Sequence, residues 1–148
     1  MRYVAHLAKR FMSSLSNRDV SEAELNLVRT TLSASELALW SQFVNADRRH
    51  SVVVTERFMA LRSGATAHEV AGVLLHDIGK IRSNLSTLQR VVATIVGPRT
   101  KRFALYHQHE EVGVEMLRNA GSHSDVIAMV NQTCDADVAA AFRAADNI

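Results

Sequence analysis

Hydrophobic residues return every three or four positions along almost the whole chain, the period of a helix that turns one face to a core. Nowhere does a run of alternating β-branched residues persist between turn signals, as a sheet requires. The pattern therefore predicts an all-α fold. Helix starts are marked by a hydroxyl residue with Glu three positions later, at Ser21 and Glu24, Ser33 and Glu36, and Thr66 and Glu69. Each such pair can satisfy the free amides of a first helical turn. Gly64, Gly79, Gly97-Pro98 and Gly121 supply stops and turns between helices. Together these signals place helices near 2–15, 21–31, 34–45, 48–62, 67–77, 86–96, 100–107, 109–119, 123–132 and 135–147. Residues 1–47 carry no obvious ligand set and read as a helical cap on a core formed by 48–148, the whole of 1–148 being one domain.

With 148 residues, 47% of them hydrophobic, the chain can bury a sizeable core and has no room for a second catalytic domain. Its net charge of +2 comes without a long Lys/Arg run, so nucleic acid is not an expected partner. Cys134 is the only cysteine, which excludes a disulfide or a thiolate zinc cage within one chain and leaves it a small packing residue. Lys9 and Arg10 interrupt the apolar residues of MRYVAHLAKRFMSSL too soon for a signal-peptide core. No other stretch approaches the roughly 18 apolar residues of a membrane span. The expectation is a soluble, cytoplasmic protein.

The chemistry concentrates in HEVAGVLLHDIGK, residues 68 to 80, where an apolar helix containing Val70, Val73, Leu74 and Leu75 runs into His76-Asp77. Burying an imidazole and a carboxylate is costly unless something pairs with them, and a divalent cation pairs with both. His50 shares a helical face with Val53, Val54, Arg57 and Leu61, which turns its imidazole toward the core. On the final helix the stripe Val138, Phe142 and Ala145 brings Asp146 to the apolar side. His50, His76, Asp77 and Asp146 thus form a candidate ligand set of nitrogen and carboxylate oxygen without thiolate, suited to a divalent ion that acts on phosphates.

A His, then a His-Asp pair, then a distant Asp in AADNI resembles the HD superfamily of metal-dependent phosphohydrolases, with LLHDIGK and HEEVGVEMLRNAG (109–121) as further similar segments. The likeness runs from about Arg48 to Asn147, and in size and layout the chain is similar to short bacterial members that hydrolyse nucleotides, the diadenosine tetraphosphate hydrolase group among them. It implies a compact HD-type bundle of short helices and one divalent metal per chain, whether Mn, Fe, Co, Ni, Mg or Zn. The substrate it implies is a small phosphorylated molecule, a nucleotide above all. Asp77 is then ligand, proton acceptor or water-orienting group, and Lys80 is catalytic or substrate-binding. Arg49, Arg82 and His109 are substrate-binding candidates, beside the basic neighbours Arg48, Arg99, Lys101 and Arg102. Bimetallic members carry further histidines; His109 matches one, but the chain reads MVNQTCDAD where another belongs, and Asn131 or Gln132 is a poor replacement. A mononuclear centre is expected.

The competing reading is a catalytically weak or inactive HD module that binds a nucleotide or a protein partner around a structural metal; another is a regulatory module whose N-terminal helices form a homodimer. Blander roles also attach to single residues. His6, His68 and His123 sit near helix starts or on polar faces, where capping or exposure explains them; His107 reads equally as a surface residue, and Trp40 and Phe43 read as packing.

Overall fold

The computed structural model describes residues 18–83 and 108–147, and every regular element among them is helical. The α-helices are Glu22–Thr31 (α1), Ala34–Trp40 (α2), Asn45–Leu61 (α3), Ala67–Leu74 (α4), His109–Asn119 (α5), Ser124–Val130 (α6) and Ala136–Asp146 (α7), with a 3₁₀ segment at Ile78–Ser83. The fold is all-α, as the hydrophobic period requires. The expected helices near 2–15, 86–96 and 100–107 lie outside the described residues, as do Gly97-Pro98, His6, His107, Arg99, Lys101 and Arg102.

Reciprocal capping boxes form at all three places the sequence marked, with Ser21, Ser33 and Thr66 accepting from the amides of Glu24, Glu36 and Glu69. Other boundaries differ from expectation. The helix expected over 34–45 stops at Trp40, and the next begins at Asn45 instead of residue 48. Trp40 and Phe43 are both buried, so the chain turns between them to bring both rings inward. Val44 then opens α3 with no side-chain capping bond, which leaves no Ser, Thr, Asn or Asp signature to read. The core stripe of α3 is also rotated from the expected face: Val54, Thr55 and Phe58 are buried, while Leu61 is exposed and Arg57 extends a guanidinium to the Ala144 carbonyl at 3.3 Å.

Two apolar clusters fill the interior. One gathers Val28, Leu32, Trp40, Leu74, Ile78 and Leu117; the other joins Val54, Phe58, Val73, Met129, Val138 and Phe142. The Trp40 indole N–H donates to Ser51 Oγ at 3.0 Å, and the Arg48 guanidinium lies 5.5 Å over the Trp40 ring, so α2 is fastened to α3 by polar contacts as well as packing. At the far end of α3, Arg62 reaches both carboxylate oxygens of Glu69, at 2.9 and 3.1 Å, and Asp137 at 3.0 Å. One side chain thereby ties the end of α3 to the starts of α4 and α7. None of the described helices is long and apolar enough to cross a membrane.

Candidate metal centre

The centre begins where α4 stops. Instead of continuing to residue 77, the helix ends at Leu74 and the backbone tightens, with Ile78 N–H donating to Leu75 O at 2.9 Å and Lys80 N–H to Asp77 O at 2.9 Å. In this winding, side chains three residues apart eclipse each other. Lys80 is therefore carried directly over Asp77, its Nζ 2.6 Å from Asp77 Oδ2, and both are buried.

Gly79 has a different purpose from the turn expected of it. Its φ is not in the left-handed region, the one described glycine with positive φ being Gly121. What it provides is room: a Cβ there would stand 1.7 Å from the carbonyl oxygen of His109. The start of α5 thus rests against the 3₁₀ segment, and His109 Nε2 comes to 3.3 Å from Asp77 Oδ1.

The His76 ring is fixed by Nδ1–H donating to the Val73 carbonyl at 2.7 Å, and it meets Phe142 edge-on at 5.3 Å between centroids. With the proton on Nδ1, Nε2 keeps its lone pair. That atom is buried and has no hydrogen-bond partner among the described residues. Around it stand Asp77 Oδ2 at 3.4 Å and Asp146 Oδ1 at 3.7 Å. His50, from the middle of α3, places Nε2 3.1 Å from Asp146 Oδ1 and 3.9 Å from Asp77 Oδ2. Ligand atoms of His50, His76 and Asp77 all lie within 4.8 Å of one another.

Electrostatics act in the same direction. Burial alone would raise the Asp77 carboxyl, but the Lys80 ammonium, then His76 and His109, outweigh it and hold the group well below the ordinary carboxylate range. Asp146 is likewise opposed by burial and pulled down to about 2, first by the hydrogen bond from His50. For His76, burial pulls downward, yet Asp77 and Asp146 prevail and hold the imidazole above its usual value. The carboxylates thus recruit positive charge to His76, and a proton and a cation compete for the same Nε2 lone pair. With the imidazoles neutral, the two carboxylates and one ammonium leave one net negative charge in the site.

The donor set fits a divalent ion: a partnerless buried imidazole nitrogen oriented from behind by a carbonyl, a second imidazole, and carboxylate oxygens between them. The structure brings His50, His76, Asp77 and Asp146 together and sets Lys80 and His109 against Asp77. Of the other candidates, Arg49 is buried on α3, while Arg82 is exposed on the 3₁₀ segment. Gln132, which stands where a further histidine was sought, donates instead to Glu110 at 2.8 Å. The Val73 carbonyl and the Phe142 edge were not anticipated; a carbonyl three residues before a histidine at a helix end is the signal that could have pointed to the first. The open side is marked by exposure, with side chains of Asp146, His109 and His50 at 33, 23 and 16% against 7% for His76 and Asp77.

His50, His76 and Asp77 lie inside a stretch that matches a known family, and Asp146 lies one residue beyond it. The HD domain family model matches residues 49–145, about two thirds of the chain, and the chain belongs to that family. No curated protein and no solved structure matches it.

Proposed function

We propose that the chain is a metal-dependent phosphohydrolase that acts on a phosphate ester or anhydride of a nucleotide. The observation that carries the reading is the buried, partnerless His76 Nε2 facing two carboxylates and His50. His50, His76, Asp77 and Asp146 would hold one divalent cation. When bound, it supplies Lewis-acid polarisation of a phosphoryl oxygen and a lowered pKa for water.

The chain's own residues divide the remaining work. Asp77 is a poor proton acceptor, because Lys80 and His109 occupy its two oxygens and its carboxyl is held far below neutral pH. Its role is that of a ligand and an electrostatic anchor. His109, with Nε2 3.3 Å from Asp77 Oδ1 on the more exposed side of the site, is placed to contact substrate. Lys80 is spent on Asp77, so it positions that carboxylate and balances its charge, and phosphate recognition passes to Arg49 and Arg82.

The test is phosphate release from nucleoside mono-, di- and triphosphates and dinucleoside polyphosphates, with Mn²⁺ or Co²⁺ supplied and with chelator as control. Turnover that is lost on chelation and restored by metal supports the proposal. A protein that binds metal and nucleotide yet turns over nothing would be the binding module instead.

A further inference from the structure

A second constellation of the same residue types lies away from the centre. His68 stands in the first turn of α4, and His123 and Asp125 stand at the start of α6. The two helices pack closely, since a Cβ on Gly72 of α4 would meet the Met129 side chain of α6 at 2.3 Å. That approach brings the imidazoles of residues 55 positions apart face to face, with centroids 3.9 Å apart and planes 8° from parallel. Asp125 Oδ2 stands near both rings, 3.9 Å from His68 Nδ1 and 3.6 Å from His123 Nδ1.

We infer that His68, His123 and Asp125 form a surface site for a zinc-class ion that clamps the start of α4 to the start of α6. Ligand atoms about 2.1 Å from a tetrahedral zinc stand about 3.4 Å apart, and the two Nδ1 to Oδ2 separations are already within about half an ångström of that value. Two imidazoles and one carboxylate are also a donor set that selects such ions over magnesium or calcium. Parallel rings cannot both direct in-plane lone pairs at one ion, so one ring must turn on binding. The three side chains are 48–62% exposed, and the turn disturbs no core packing. His123 Nδ1 now accepts from the Asp125 amide at 3.2 Å, so the ion displaces one capping hydrogen bond of α6 and replaces it with coordination across two helices. This site is independent of the hydrolase reading. It sits at the opposite end of the helix that leads to His76, roughly 12 Å along the axis for eight residues.

Zinc binding to the full chain is measured calorimetrically, with imidazole nitrogen shifts followed by NMR, for wild type and for the variants His68→Ala, His123→Asn and Asp125→Asn. His123→Asn retains a capping acceptor, and His68→Ala leaves the cap untouched. The expected result is a second, weaker class of zinc in wild type that loses at least tenfold in affinity in every variant, with His68 and His123 nitrogens shifted by zinc in wild type. Unchanged stoichiometry and affinity in His68→Ala would overturn the proposal. So would weakening in His123→Asn alone, because binding by one histidine without His68 or Asp125 is no clamp across two helices.

Discussion

Two histidines and an aspartate meet twice in this molecule, and the surroundings make the two meetings unlike. In the centre, His50, His76 and Asp77 are packed against apolar rings, joined by Asp146 and balanced by Lys80; at the surface, His68, His123 and Asp125 stack in water. Burial keeps water from the innermost groups, so a His76 nitrogen without a hydrogen-bond partner among the described residues persists beside two carboxylates as a standing demand for a cation. At the surface, water meets the same demand, and only coordination chemistry distinguishes the site. Identical residue types thus give a centre in one place and an optional clamp in the other.

The largest effect that separates the two should come from Asp77→Asn, which is expected to lower phosphate release by on the order of 10³-fold, roughly 4 kcal/mol in barrier, as read from initial rates at saturating Mn²⁺. A wild-type rate would remove the centre from the chemistry. Next comes Lys80→Met, which leaves the buried Asp77 uncompensated and should cost about 3–5 kcal/mol in urea unfolding without metal. Mn²⁺ should stabilise this variant more than wild type, because the cation takes over the ammonium's role. Gly79→Ala is expected to cost about 1–3 kcal/mol by pushing the start of α5 away, with slower turnover as His109 leaves Asp77.

A control away from the central cluster is Glu69, the neighbour of His68, whose carboxyl is held below its usual 4.5 first by the hydrogen bond from Arg62, against the opposing effect of burial. A depressed folded pKa contributes stability above the unfolded value, and that contribution is lost as pH falls through the folded value. Glu69→Gln should accordingly flatten the acid limb of the stability curve below about pH 4.5 while leaving phosphate release alone. The smallest effect is assigned to His68→Ala, for which turnover within about twofold of wild type is expected; a larger loss would mean that the two clusters communicate through α4.

The sequence made some of this legible and hid the rest for identifiable reasons. Capping boxes at Ser21, Ser33 and Thr66 are local devices, written in four consecutive residues, and they could be read directly. The start of α3 could not, because Val44 offers no capping atom. The types and spacing of the central residues pointed to ion chemistry, but the pairing of Lys80 with Asp77 depends on the backbone tightening after Leu74, which periodicity does not reveal. Gly79 looked like a turn residue because its actual neighbour, His109, arrives 30 positions later. The contact between His68 and His123 was invisible for the same reason, since each alone is an exposed helix-start histidine.

His50 and Asp146 touch across 96 positions, and that separation has a consequence for biogenesis. Closing so long a loop is entropically unfavourable and must be offset by packing formed along the way. During synthesis on the ribosome, the nascent polypeptide lacks one carboxylate of its central cluster until α7 emerges and docks. The central cluster therefore closes only once α7 has been made, and a product truncated before Ala136 would lack Asp146 and its contact with His50.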